Sequence, residues 1–322
     1  MSHSASSGHA VPPIKMGIAI PNSKLCMWLF LGTEIMFFTA FIGTYIVLRI
    51  GSKGWPTDPD VTHIRVAAGG INTFVLILSS YFVVVAHEAM GEHNYEKARK
   101  FLQWTFALAF VFLGIKSYEY YGKIDHDILP GHIAENDQQA KAKVLRESEK
   151  AVEYRLQRLA AQAVSAKAAD KLPEPSDDVT KLKALLIEAG SKAEGTAGDE
   201  FREFDAMFKK FVLMKQGILK EDVSLHEVET QLTGLKSNKQ WGHVFKSVHE
   251  PHPILYGNIF ASCYFLMTGF HALHVVIGMF LFWLVIKQKN LQGWHDFVEN
   301  SGLYWHFVDL VWIFLFPLLY IV

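Results

Sequence analysis

Long apolar runs with few or no charged residues recur along the chain and predict helices that cross a membrane. An α-helix rises about 1.5 Å per residue, so about 20 apolar residues are needed to cross the roughly 30 Å hydrocarbon core of a bilayer. Five runs of this kind occur, at residues 25–48, 66–86, 101–121, 254–286 and 303–322. The fourth run contains no Asp, Glu, Lys or Arg and exceeds one bilayer thickness, so it is expected to tilt or to begin in the interface. The pattern predicts an all-α membrane protein with a bundle of five transmembrane helices.

The charged residues are concentrated between the third and fourth runs. Residues 122–253 contain 20 of the 31 Lys and Arg and 22 of the 32 Asp and Glu. This contrast predicts a charged extramembrane insert between helices 3 and 4. The chain then divides into a polar N-terminal tail (1–24), transmembrane helices 1–3 (25–121), the insert (122–253) and transmembrane helices 4 and 5 (254–322).

The insert has the residue pattern of several helices. Residues 140–169 are rich in good helix formers, and Asp177 with Asp178 can cap a short second helix. Ser224 and Glu227 have the capping-box pattern that begins another helix. Between the second helix and the one that begins at Ser224, a stripe of phenylalanines predicts a further helix, at Phe201, Phe204, Phe208 and Phe211. The insert either packs only on itself or uses this phenylalanine stripe as a docking surface for an extramembrane neighbour.

Composition excludes several classes of protein. A net charge of −1 leaves no diffuse basic surface for nucleic acid. Cys26 and Cys263 are the only cysteines in the sequence, which excludes a cysteine zinc cage and a disulfide framework. The first 15 residues are polar, so no signal peptide is expected. Twenty-four Phe, 8 Trp and 11 Tyr are typical of helices anchored at a lipid–water boundary.

The distribution of basic residues in the short connections predicts the orientation. Cytoplasmic loops carry an excess of Lys and Arg. Seven such residues lie before helix 1, in the connection between helices 2 and 3, or in the connection between helices 4 and 5. They are Lys15, Lys24, Lys97, Arg99, Lys100, Lys287 and Lys289. The connection between helices 1 and 2 has three, namely Arg49, Lys53 and Arg65. The N-terminus is therefore predicted to be cytoplasmic, with the insert and the C-terminus on the outer side.

Glu34 is an acidic residue near the middle of the first run. Ionisable side chains at this depth cost roughly 2.5–3.5 kcal/mol on insertion scales and therefore suggest function. Phe37, Phe38 and Phe41 follow at spacings that place their rings on the same helix face. An apolar setting favours the neutral acid. Glu34 is either a structural carboxyl bonded to a neighbouring helix or lipid headgroup, or part of a proton relay.

Two further polar pairs lie in the last two runs. His271 and His274 share one helix face, and His306 lies one turn before Asp309. A single-helix i,i+3 pair does not bracket a haem from both sides, so hydrogen bonds to Glu34, Glu119 or Asp309 explain the histidines more simply than a metal or haem. His306 and Asp309 are expected to bond each other or a neighbour.

Motifs that are typical of one family occur in all five runs. They are KLCMWLFLGTEIMFF at 24–38, YIVLR at 45–49, NT at 72–73 with SS at 79–80 and AHE at 86–88, YEYY at 118–121, TGFHALHV at 268–275, and YWHFVDLVW at 304–312. In this order, they resemble bacterial cytochrome c oxidase subunit III. The resemblance covers about 190 residues and leaves out the insert.

The resemblance implies a non-catalytic subunit of a proton-pumping haem–copper oxidase in the bacterial plasma membrane, which reduces O₂ with electrons from cytochrome c. Subunit III of this family carries no haem or copper, and no metal site is expected in this chain. It packs on subunit I, binds structural phospholipid and supports proton uptake, while subunits I and II hold the redox centres. Glu34 matches the family's membrane-embedded carboxylate, and Arg49 lies where a lipid phosphate contact is expected. Positions that pack and hydrogen-bond the bundle are matched by Glu119, His271, His274, His306 and Asp309.

Two features depart from the family pattern. Five helices correspond to the shorter bacterial form, so a neighbouring subunit is expected to complete the lipid cleft. The insert has no counterpart, and an outer-side cytochrome or a supercomplex partner is a candidate to contact it. Rival interpretations are subunit III of a quinol oxidase, a homologue associated with nitric oxide reductase, a self-standing transporter, and a b-type cytochrome that uses His271 and His306. The transporter is disfavoured because internal repeats are absent from the sequence.

Overall fold

Five long helices are present in the computed structural model, which describes residues 21–62, 64–166 and 196–321. They are α1 (Asn22–Gly51), α3 (Val66–Gly91), α4 (Tyr95–Asp125), α8 (Gly257–Ile286) and α9 (His295–Tyr320). All five are long and apolar enough to cross a membrane. The described residues contain helices and no strand, so the prediction of an all-α membrane protein with five spanning helices is confirmed.

The helices extend beyond the apolar runs that predicted them. Helix α4 begins six residues before the run at Phe101 and continues to Asp125, through charged residues at both ends. At the N-terminal end of α4, long charged side chains can reach the polar headgroup region. At its C-terminal end, Lys116, Glu119 and Lys123 are buried within the protein. The helix therefore need not stop where its apolar run stops.

The turn between α3 and α4 is formed by local chemistry. His93 has a φ of 59°, in the left-handed region that often ends a helix. The backbone N–H of Asn94 then donates to the carbonyl of Ala89 at 2.9 Å. The side chain of Asn94 caps the next helix by accepting from the N–H of Lys97 at 3.1 Å. The two helices are thus joined by a connection of three residues.

Between α4 and α8 the described residues form shorter helices outside the spanning segments. Four elements lie here, namely α5 (Asp137–Ala166), α6 (Thr196–Leu219), α7 (Leu225–Lys236) and a 3-10 turn at Gly242–Phe245. The predicted capping box is confirmed, because the Ser224 side chain accepts from the Glu227 N–H and the Glu227 side chain returns to Ser224. The predicted short helix after Asp177 and Asp178 lies outside the described residues, as does most of the N-terminal tail. A short helix α2 (Pro59–Thr62) precedes α3.

Contacts group the described residues into two compact units. The first comprises described residues of Met1–Gly43, Gly70–Leu113 and Gly269–Phe316. The second comprises those of Thr44–Gly69, Gly114–Thr268 and Pro317–Val322. These units follow spatial contacts rather than chain order, so the linear division of the chain at residues 24, 121 and 253 stays a prediction.

In the first unit, helices α3 and α8 pack against α9. The indole N–H of Trp305 donates to the Ser79 hydroxyl at 3.0 Å, and that of Trp312 donates to the Thr73 hydroxyl at 3.0 Å. Helices α8 and α9 approach closely, since a Cβ on Gly278 would lie 2.6 Å from the ring of Trp305. Small residues permit such close approach in membranes, where packing rather than water exclusion holds helices together.

The second unit contains a hydrophobic core built by the insert. The buried side chains of Phe204, Phe211, Phe245 and Trp241 belong to one cluster, and the guanidinium of Arg155 lies 4.7 Å from the Trp241 ring centroid. Phe208 packs partly buried against the same cluster. The described members of the phenylalanine stripe therefore pack inside the insert.

Candidate functional site

A carboxyl–imidazole couple joins α1 to α8 in the first unit. Glu34 Oε2 and His274 Nε2 are 3.1 Å apart, although the two residues are 240 positions apart in the chain. The His274 side chain is 9% exposed and the Glu34 side chain 21%. The structure thus brings together two of the residues that the sequence singled out.

The geometry of His274 determines how many protons the couple holds. Its Nδ1 lies 2.7 Å from the carbonyl oxygen of Phe270, which can only accept, so Nδ1 must carry a hydrogen. The Nε2···Oε2 contact then needs one proton between its two atoms. Either a protonated Glu34 donates to a neutral imidazole, or an imidazolium donates to a carboxylate. The couple therefore holds one shared proton and has no net charge in either form.

Aromatic rings surround the couple. The ring of Phe38 lies 5.3 Å from that of His274, and Phe307 and Tyr304 lie at 6.2 and 6.3 Å from it. Phe37 contacts Phe270 with ring centroids 5.2 Å apart. The rings limit access of water on the α8 and α9 sides, which strengthens the electrostatic interaction within the couple.

Helix α1 is exposed over most of its length. Only 6% of the most apolar 18-residue stretch of α1 is buried, compared with 56% of the corresponding stretch of α9. Its exposed side chains are large and apolar, including Leu29, Met36, Val47 and Ile50. A helix of this kind, with Glu34 on it, requires lipid or another protein against its free face.

A second polar centre is buried in the second unit. Lys116 Nζ donates to Glu119 Oε2 at 3.0 Å and to the Tyr320 hydroxyl at 2.5 Å. The hydroxyls of Tyr264 and Tyr320 donate to Glu119 Oε1 at 2.6 and 2.7 Å. Lys116 and Glu119 are 3% and 4% exposed. Glu119 is thus neutralised by a cation and bonded by two phenols, as a buried carboxylate requires.

Lys123 extends this centre along α4. Its ammonium donates to the carbonyl of Thr62 at 2.8 Å and lies 4.4 Å from the centroid of the Tyr264 ring. The side chain is buried, with 1% exposed. A second cation is therefore held by a backbone acceptor and an aromatic face instead of a carboxylate.

The remaining predicted residues lie in separate surroundings. His271 is fully buried between the rings of Phe112 and Trp312, at 5.6 and 5.1 Å. His306 Nδ1 lies 2.5 Å from the Ser80 hydroxyl, so it hydrogen-bonds to the neighbouring helix α3. Asp309 is buried, with 4% exposed.

Arg49 lies near the end of α1. Its Nη1 donates to the hydroxyl of Tyr45 one turn earlier, at 3.2 Å. Arg49 also lines a small cavity of the second unit, together with Thr62 and Phe260. A guanidinium at a helix end can donate charge-assisted hydrogen bonds to a phosphate group.

Sequence reasoning missed three members of the Glu119 centre. Lys116 stands three residues before Glu119, a spacing that places the two on one helix face and could have identified the pair. Tyr264 and Tyr320 reach Glu119 from 145 and 201 positions away, and no local pattern indicates such partners.

Outside the spanning segments, the insert contains a charged cluster at the end of α4. Asp127 Oδ2 lies 2.7 Å from Lys143 Nζ, and its Oδ1 lies 2.8 Å from His132 Nδ1. Burial alone raises the pKa of the Asp127 carboxyl, but the hydrogen bonds and charges of Lys143 and His132 outweigh burial and lower this pKa below its ordinary value. The cluster is therefore an ion pair that persists across neutral pH.

Comparison with known proteins finds similarity in the C-terminal part of the chain. The family model described as cytochrome c oxidase subunit III matches residues 249–322. A protein named cytochrome c oxidase subunit 3 from Thermostichus vulcanus is 45% identical over 82 residues, which are 23% of this chain and 41% of the relative.

Other relatives have the same name. The protein from a Synechocystis species is 48% identical over 69 residues, covering 20% of this chain and 30% of the relative. The protein from Alkalihalophilus pseudofirmus is 34% identical over 100 residues, covering 31% and 48%. The chain thus spans less than half the length of these three relatives. Residues 249–322 are therefore similar to the cytochrome c oxidase subunit III family.

Proposed function

We propose that the chain is a non-redox subunit III of a haem–copper terminal oxidase that reduces O₂ to water with electrons from cytochrome c and pumps protons. The family match over residues 249–322 supports this assignment most directly. The haem and copper centres are placed in partner subunits I and II, and the chain itself holds none. The complex is assigned to the bacterial plasma membrane, with the N-terminus cytoplasmic and the insert and C-terminus on the outer side.

The face of α1 is the proposed contact with subunit I and with lipid. It is the least buried of the five spanning helices, at 6% of its most apolar window. The exposed apolar side chains of α1 gain packing partners when a neighbouring helix or an acyl chain covers them. A cytochrome or a supercomplex partner on the outer side is a candidate to contact the insert.

Glu34 and His274 are the proposed support for proton uptake. Their single shared proton lies between a carboxyl and an imidazole beside the exposed face of α1. A couple that is neutral overall can remain within the hydrocarbon and can exchange its proton when a donor approaches. Arg49 is the proposed contact for a phospholipid phosphate, by charge-assisted hydrogen bonding.

The experiment that tests this role compares Glu34→Ala with Glu34→Gln in the purified oxidase complex. Both variants should leave the complex assembled. Glutamine keeps a donor for His274 but has no proton to exchange, so both variants should shorten the active lifetime or lower proton pumping. Bound phospholipid is measured in parallel by mass spectrometry.

The matched control separates a packing role from a proton role. Full activity in Glu34→Gln combined with loss in Glu34→Ala would assign Glu34 a purely structural bond. Unchanged turnover, pumping and lipid content in Glu34→Ala would refute both roles.

The identity of the electron donor is tested on the companion subunit. A copper-A signal in the optical and EPR spectra of the complex supports cytochrome c as the donor. A complex without copper-A that oxidises quinol would instead assign the chain to the quinol oxidases.

A further inference from the structure

Two histidines and a glutamate meet where α3 ends and α9 begins. His87 lies in the last turns of α3, His295 is the first residue of α9, and Glu299 follows one turn later. One ligand atom from each residue lies within 4.8 Å of the other two. The imidazole rings of His87 and His295 are 5.0 Å apart. The first unit thus assembles a two-histidine, one-carboxylate group from two helices.

His87 adds an independent observation. Its Nε2 is buried and has no hydrogen-bond partner among the described residues. A buried ring nitrogen without a partner costs free energy unless a ligand or a proton acceptor completes it. The spacing of His295 and Glu299 also suits a metal, because residues four apart on a helix point to the same side.

We propose that His87, His295 and Glu299 form a binding site for a divalent transition-metal ion, with Zn²⁺ as the closest chemical match. Imidazole nitrogen and carboxylate oxygen are ligands that zinc prefers, and three protein ligands leave a fourth position for water. Zinc bonds of about 2.0–2.2 Å place tetrahedral ligand atoms roughly 3.4 Å apart. The longest separation among the three atoms therefore has to shorten by about 1.4 Å at most, which side-chain rotation can provide.

A second group of similar composition in the insert shows why this one is favoured. Asp127, Glu147 and His249 also place ligand atoms within 4.8 Å of one another. There, however, both His249 nitrogens already have partners, the Asp125 carbonyl at 2.9 Å and Glu147 at 3.1 Å. Asp127 is also held by Lys143. That group is satisfied by protein partners.

Lys24 is the competitor at the proposed site. Its Nζ lies 2.6 Å from Glu299 Oε1, with both side chains partly exposed. The second carboxylate oxygen of Glu299 stays available to a metal, but the nearby ammonium disfavours a cation. Asp296, with Oδ1 3.6 Å from His295 Nδ1, adds a compensating negative charge. Removing the charge of Lys24 should therefore strengthen metal binding.

The sequence alone did not indicate this site. His87 is more than 200 positions away from His295, so no local spacing connects the two residues. The pattern AHE at 86–88 matches a helix motif of the family and by itself indicates no ligand role.

The test is zinc binding by the full-length chain in its purified membrane complex, after removal of metal with a chelator. Zinc is added and the bound metal is measured by equilibrium dialysis and elemental analysis, comparing wild type with His295→Gln and Glu299→Gln. Each substitution should weaken one zinc site by more than about tenfold. Lys24→Gln should tighten the same site. His249→Gln in the insert is the matched control and should leave this site unchanged.

Zinc K-edge X-ray absorption identifies the ligands directly. The proposal expects two imidazoles and a carboxylate oxygen at about 2.0–2.2 Å. Loss of one imidazole in His295→Gln supports it, and because His295 is partly exposed this variant is expected to fold. Zinc binding that survives both His295→Gln and Glu299→Gln, or that disappears in His249→Gln, would overturn the assignment.

Discussion

The buried pair of Lys116 and Glu119 makes a quantitative prediction about stability. Both side chains are at least 96% buried, and Glu119 accepts from Lys116 and from the hydroxyls of Tyr264 and Tyr320. Removal of one partner of such a pair leaves an uncompensated buried charge and costs about 3–5 kcal/mol. Glu119→Leu and Lys116→Met should therefore each destabilise the protein by about this amount.

The double variant separates the ion pair from simple packing. With both charges absent, neither side chain leaves an unpaired charge, so Lys116→Met/Glu119→Leu should recover a large part of the loss. Recovery is incomplete because the hydroxyls of Tyr264 and Tyr320 lose the carboxylate to which they donate. The free energy attributed to the pair is the non-additivity of the cycle.

The assay is thermal or denaturant-induced unfolding in detergent, followed by near-UV circular dichroism for wild type and all three variants. Leu29→Ala, on the exposed face of α1, is a control for substitution within a spanning helix. Effects of the two single variants that simply add in the double variant would refute the argument that the charges depend on each other.

Three other predictions follow from the structure. Gly278→Val should lower stability by about 1–3 kcal/mol, because a Cβ at this position meets the Trp305 ring at 2.6 Å. Equal unfolding midpoints for Gly278→Val and wild type would contradict the close approach of α8 and α9. The pKa of Asp127 is lower in the folded protein than its ordinary value of 3.8. The ionised carboxylate therefore adds to the free energy of unfolding at pH values above 3.8, and this stabilisation is lost as the pH falls through the lower pKa of the folded protein. Asp127→Asn should therefore lower stability at neutral pH and flatten the loss of stability below about pH 4, and an acid unfolding curve parallel to that of wild type would count against this. Deletion of residues 135–247 should still permit membrane insertion of all five spanning helices, and failure to recover any membrane-integrated protein would argue against an independent insert.

The number and type of the spanning helices could be predicted from the sequence because their cause is local. Each helix needs about 20 apolar residues in a row, and the fourth run shows this without a single charged residue. The residues at which the spanning helices begin and end were less predictable. Helix α4 continues through Lys116, Glu119 and Lys123, since tyrosines and a backbone carbonyl in the folded protein compensate those charges.

Which side chains bind one another in the candidate site depends on tertiary packing, so these partners were harder to predict from the sequence. The depth of Glu34 in its run suggested function, and His274 was among its possible partners, but contact across 240 residues is visible only in the fold. For His306 the sequence left open a bond to Asp309, one turn away, or to a neighbouring helix, and the structure places Ser80 of α3 at 2.5 Å. Local spacing identifies which residues share a face but not which helix lies opposite that face.

We propose that this chain binds no redox centre and functions beside subunits that do. Native mass spectrometry and an optical spectrum of the membrane complex, isolated through a tag on this chain, test that claim most directly. We predict co-isolation with a haem-bearing larger subunit, and a mass for this chain that includes no haem or copper. A tagged chain that is isolated alone, and that shows its own Soret absorption, would contradict the account.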